Sequence, residues 1–211
     1  MDERSLAVTR RSLHGVAELV LAGPQYRTGG GIRLRIVPGG FGTVNAPDLR
    51  IEGDTLVTPT GSIRLTGTYA EVAAAAGVEA RRLDDVYSGG PKISADDQLE
   101  IDPAAARLLA DAFASGEAAL RTLDPQQTPV LWPEHFDVGI TVDEVNYGVS
   151  PGDDGIPEPY AYVGPWTPRT GDFWNAPFGA SRPMTELTEP SDLTDFFRTG
   201  QSLASVAGRD L

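Results

Sequence analysis

The chain of 211 residues has no cysteine, only two histidines and a single lysine. Without cysteine there can be no disulfide, no cysteine nucleophile, no iron–sulfur cluster and no thiolate zinc site. A metal site built on imidazoles can draw only on His14 and His135. No run reaches the roughly 18–20 apolar residues that a membrane span requires, so no membrane partner is expected. Positive charge is scarce in the second part. Residues 83–211 hold 7 Lys+Arg against 22 Asp+Glu, whereas residues 1–82 hold 10 against 8. A surface with that excess of negative charge repels phosphate backbones and argues against a nucleic-acid partner. Sixteen arginines to one lysine, with abundant Ala and Gly, reads as coding in a GC-rich bacterial genome.

What is present suffices for a core: 40% of residues are apolar and 8% aromatic. The N-terminal Thr9-Arg10-Arg11-Ser12-Leu13 looks like a twin-arginine export signal. Glu18 interrupts the apolar stretch after it, however, and no A-x-A cleavage site follows. A cytoplasmic location is the expectation.

Residues 12–22 fit a short helix with Ser12 as N-cap, ended by Gly23-Pro24. Strict alternation over Ile32–Ile36 reads as a half-buried strand, and Leu49–Ile51 as a short one. Thr55–Pro59 and Ser62–Thr66 form a hairpin. Thr68 and Glu71 spell a capping box, and Asp102-Pro103 opens the strongest helix with an N-cap followed by Pro at the first helical position. Its stripe is Leu108, Leu109, Ala112, Phe113, Leu120 and Leu123. After Pro129 the pattern gives strands over 138–142, 145–149 and 160–163. A Pro-, Gly- and aromatic-rich stretch to Pro190 follows, expected on the surface, and then a helix from Ser191. The fold expected is α+β: a largely antiparallel sheet of about six or seven strands with helices mainly on one face. Residues 1–211 form one compact domain, with two halves meeting near 88–92, at Gly89-Gly90-Pro91.

Two motifs dissolve under scrutiny. Gly148-Val149-Ser150-Pro151-Gly152 matches the G-x-S-x-G nucleophile elbow, but Pro151 and Gly152 cannot open a helix and no His follows Ser150. It reads as a turn. Gly29–Gly31 and Gly39-Gly40-Phe41-Gly42 lack both the Walker lysine and a complete G-x-G-x-x-G, and read as tight turns.

The densest chemical cluster is Trp132-Pro133-Glu134-His135-Phe136-Asp137. His135, Asp137 and Glu158 are the metal-ligating candidates, with Asp153 nearby; a carboxylate-rich set with one His suits Mn²⁺, Mg²⁺ or Fe²⁺. Strand alternation would put His135 and Asp137 on one side and Glu134 and Phe136 on the other. The simpler alternative is a His packed at a strand start against a carboxylate. Residues 130–200 also hold 11 of the 16 aromatics. Trp132, His135, Tyr160, Tyr162 and Trp166 are the ligand-binding candidates, because a few polar groups among aromatic walls is how small-molecule pockets are lined. The same aromatics are also how a modest sheet-and-helix core is filled, and that is the favoured reading.

Leu131 to Asp137, followed by Pro157-Glu158-Pro159-Tyr160-Ala161-Tyr162, resembles a bacterial, actinobacterial-like family. Its members carry a Trp- or His-rich segment ending in Phe-Asp and then a Pro-Glu-Pro-Tyr strand. No activity is known for that family, so the resemblance carries over no catalytic residue and leaves any cofactor unknown. Two functions stand as expectations: non-catalytic binding of a small molecule or protein partner through the aromatic, acidic second half, or a metal-assisted hydrolase or isomerase built around His135.

Overall fold

A computed structural model describes residues 2–206. Its frame is one open antiparallel sheet of ten strands, built from two five-strand meanders joined along their first strands. The first comprises β1 (Leu34–Val37), β2 (Gly40–Thr43), β3 (Arg50–Glu52), β4 (Thr55–Thr58) and β5 (Gly61–Arg64). The second comprises β6 (Val130–Trp132), β7 (Asp137–Val142), β8 (Val145–Ser150), β9 (Tyr160–Pro165) and β10 (Ala180–Pro183). β1 and β6 pair antiparallel at Leu34 and Leu131, so the sheet runs unbroken through both halves.

The sheet is thus larger than the six or seven strands expected. β2 was hidden because glycines replace the side chains that reveal alternation. A Cβ on Gly40 would collide with the Ile51 carbonyl oxygen, and one on Gly42 would lie 2.8 Å from that of Leu49. β6 is only three residues long. β10 lies inside the stretch expected to lie over the surface, yet Ala180 is fully buried and pairs with Val163.

The helices α1 (Glu3–Gly15) and α2 (Gly23–Arg27) are joined by a π-helical segment, Val16–Ala22, into one continuous helix. The expected start at Ser12 and stop at Gly23-Pro24 are both corrected. Asp2 is the N-cap, accepting from the Ser5 N–H, while Ser12 sits mid-helix with its hydroxyl accepting from the Glu100 N–H. Pro24 is tolerated because the register has already shifted. The Gly23 N–H reaches back five residues to the Glu18 carbonyl, and the Leu19 carbonyl, which Pro24 cannot serve, accepts from the Arg81 N–H at 2.9 Å. Only glycine fits at 23, since a Cβ there would collide with the Arg81 carbonyl oxygen.

Glu18, which breaks the apolar run in the sequence, is buried inside this π segment. It accepts from the Leu83 N–H and the Tyr87 hydroxyl, each at 3.2 Å. Burial raises its pKa in spite of those donors. Gly90 leaves room for its Oε2 and Gly89 for the Glu134 carboxylate, so the glycines at the expected junction of halves serve two carboxylates.

The remaining helices follow their local signals. α3 (Tyr69–Ala75) carries the full Thr68/Glu71 capping box. α4 (Pro103–Leu123) starts with Asp102 accepting from the Ala104 and Ala105 N–H groups. It buries Leu109, Ala112, Phe113 and Leu120, whereas Leu108, expected in the stripe, is exposed. Gly116 takes the middle of the stripe, where a Cβ would press on Val138 and Val149. α5 (Pro190–Val206) buries Leu193, Phe196 and Phe197. α4 and α5 therefore cover the sheet face of Val138, Val149 and Val163. By the pleat, Asp137, Gly139, Gly148, Ser150, Tyr160 and Tyr162 belong to the opposite face. Among the described residues no helix is long and apolar enough to cross a membrane.

Candidate functional site

On that opposite face, β7–β9 floor a cleft of about 1160 Å³, walled at one end by α1 and by the loops 133–136 and 151–159. The floor is shaped by side-chain economy. Gly139, Gly148 and Tyr162 lie in one register row, and the Tyr162 ring lies across the two glycines to reach Asp137. A Cβ on Gly148 would sit 2.5 Å from Tyr162 Cζ and from the Val138 carbonyl oxygen, so glycine is what lets the ring lie flat.

Two tyrosine–carboxylate pairs result, side by side because residues 160 and 162 share a face. The Tyr162 hydroxyl donates to Asp137 Oδ2. The Tyr160 hydroxyl donates to Asp153 Oδ2 at 2.6 Å. Their electrostatics differ. Asp153 is partly open and would be raised by burial, but the Tyr160 hydroxyl and the Ile156 and Gly155 N–H groups outweigh that and hold its carboxyl low. Asp137 is 8% exposed, and desolvation raises its pKa despite the Tyr162 bond. Its other oxygen, Oδ1, is buried with no hydrogen-bond partner among the described residues. Both tyrosines are pushed up by burial and by their carboxylates, Tyr160 to about 12.

The cleft's α1 wall carries Arg10, Arg11 and His14. Arg10 donates to the Pro157 carbonyl at 2.9 Å and Arg11 to that of Pro91 at 3.3 Å. His14 Nε2 donates to the Pro133 carbonyl at 2.8 Å, and its ring stacks on Phe136 at 5.4 Å. Desolvation drives the His14 pKa down to about 4, so it is neutral at pH 7. The rim is also aromatic: Phe178 stacks on Tyr160 at 6.2 Å, and Trp166, 64% exposed, donates to Asn146 Oδ1 at 3.3 Å.

Of the ligand-binding candidates, His135, Tyr160, Tyr162 and Trp166 line the cleft. Trp132 does not. It is stacked beneath the Arg33 guanidinium, 5.7 Å from the ring centroid. Alternation fails across 133–136 because those residues are a turn between β6 and β7, with Phe136 at φ 55°. Glu134, His135 and Asp137 consequently all reach the cleft, while Phe136 is buried among His14, Phe41 and Phe113.

The metal candidates are not gathered. Glu158 accepts from Thr185 and lies outside the cleft lining, His135 is largely exposed beside Glu134 at 3.9 Å, and Asp137 is engaged by Tyr162. Among the described residues no group of three or more His, Asp or Glu side chains could hold an ion. Gly148, Val149 and Ser150 lie in β8 instead of the turn expected for G-x-S-x-G, and Ser150, at the strand end, accepts from the Gly152 N–H at 3.2 Å.

Sequence reasoning missed Arg10, Arg11 and His14 as cleft residues. The arginine pair did stand out, but as an export-like motif. Phe178 carried only the general aromatic signal of the second half. Comparison with family models, curated proteins and solved structures yields no match for the chain.

Proposed function

We propose that the protein binds a small molecule in the cleft over β7–β9 without transforming it. The observation that carries this reading is the floor itself. A cleft of about 1160 Å³ is left uncovered on one sheet face, with two fixed tyrosine–carboxylate pairs at its base and Phe178 and Trp166 at its rim. Concave sites with an apolar or aromatic lining and a few placed polar groups are the usual form of small-ligand pockets. Gly139 and Gly148 support the reading because they serve the position of one tyrosine. Among the described residues no comparably ordered set of acid, base and nucleophile accompanies the pairs: His135 is solvent-exposed and Ser150 has no imidazole partner among its contacts.

A fragment screen by ligand-observed NMR tests it, run in parallel on the native chain and on Asn146→Trp. Asn146 lies on the cleft lining, and an indole there would fill the space over β8 and β9. Fragments that bind the native chain should lose most of their affinity for the variant while its melting temperature stays within a few degrees. A screen in which no fragment distinguishes the two proteins overturns the proposal.

A further inference from the structure

Charge in the cleft is unbalanced. Glu134, Asp137, Asp153 and Asp154 line it, against Arg10 and Arg11. The two arginines are also spoken for: their guanidinium groups are held by the Pro157 and Pro91 carbonyls, and Arg10 faces Asp153 and Asp154. An anionic ligand would have to strip these contacts and approach four carboxylates.

Asp137 is the independent observation. It is more than nine-tenths buried, lines the cleft, and keeps Oδ1 without any partner among the described residues. Its one partner, the Tyr162 hydroxyl, is neutral. A buried carboxylate with no counter-charge is costly and is ordinarily matched by a proton, a cation or a further donor. Along β9, the backbone from Tyr162 to Trp166 covers roughly 13 Å at about 3.3 Å per residue, with Gly164 between them. Aromatic faces at that distance offer a surface for an apolar body, and they attract positive charge as well.

We infer that the occupant of the cleft is an organic cation: a protonated amine seated against the Asp137 carboxyl, with an apolar or aromatic body along the floor toward Phe178 and Trp166. This rests on the cleft being a ligand site at all. The ammonium supplies the positive charge that the Asp137 carboxyl lacks, since its one partner, the Tyr162 hydroxyl, holds Oδ2 without bringing charge. A neutral alcohol would supply the donor without the charge, and a carboxylate neither.

The test uses three probes that share a body and differ in head group: phenethylamine, 2-phenylethanol and 3-phenylpropionate. Each is titrated at pH 7.5 and low salt, followed by Trp fluorescence and calorimetry. The amine should bind at least tenfold more tightly than the alcohol, with the acid weakest. Asp137→Asn should weaken the amine tenfold or more and leave the alcohol within about twofold. The ranking on the native chain needs no variant, so it stands even if Asp137→Asn fails to fold. Alcohol or acid binding as tightly as the amine overturns the cation while leaving the cleft reading intact. So does failure of the amine when fragments sensitive to Asn146→Trp exist. Amine affinity unchanged in folded Asp137→Asn removes Asp137 as the anchor. If neither the probes nor any fragment bind, the cleft reading falls as well.

Discussion

His14 should make the protein acid-labile in a way one substitution can isolate. In the folded chain its pKa is about 4, because desolvation outweighs the hydrogen bonds it makes to the 133–134 backbone. Unfolded, it returns to about 6.5. A histidine depressed on folding contributes stability that is complete above pH 6.5. As pH falls below that value the unfolded chain takes up a proton that the folded chain refuses, and stability is lost until the folded pKa is passed. At about 1.4 kcal/mol per pH unit, the interval from 6.5 to about 4 amounts to about 3.5 kcal/mol. Glu18 and Asp137 act with the opposite sign, since their raised pKa values let the folded chain hold protons longer. Absolute stability against pH therefore mixes opposing slopes, and the difference between two proteins is the cleaner quantity. His14→Gln keeps a donor toward the Pro133 carbonyl and removes the titration. Urea unfolding of both proteins between pH 6 and 4.5 should show the native chain losing about 2 kcal/mol relative to His14→Gln. A difference that stays flat across that range refutes the argument. The consequence reaches the cleft, because His14 holds the turn that carries Glu134 and His135.

Two further outcomes follow from the packing. Gly148→Ala forces a Cβ against Tyr162 and the Val138 carbonyl, so overpacking and a weakened Asp137 bond should together cost about 3 kcal/mol and lower Tm by roughly 10 °C. A calorimetric Tm within two degrees of native would show that the ring is not held there. Gln25 is fully buried, its Nε2 donating to the Gly31 and Arg33 carbonyls and its Oε1 accepting from the Val44 and Asn45 N–H groups. Gln25→Leu should cost about 3 kcal/mol in urea unfolding and speed amide exchange at 44 and 45, and native-like exchange there would contradict the assignment.

Local sequence determined the elements whose stabilising groups are neighbours in the chain. Thr68 and Glu71 cap α3 from three residues apart, Asp102 and Pro103 open α4, and the alternation over 138–142 and 160–163 places β7 and β9. Composition alone likewise excluded thiolate chemistry. Only tertiary structure decided the rest, because the deciding partners are distant. Pro24 continues a helix since the Arg81 N–H takes the carbonyl that it strands, and β2 exists since its glycines admit the backbone of β3. Asp137 becomes a desolvated carboxylate only when the 133–136 turn aims it at Tyr162 and β8 offers glycine beneath the ring. Arg10 meets the Pro157 carbonyl across 147 residues, a pairing no periodicity encodes. Hydrogen bonds and steric exclusion act over a few ångströms. The sequence therefore announces those made within a turn of itself, and the fold alone brings the others into reach.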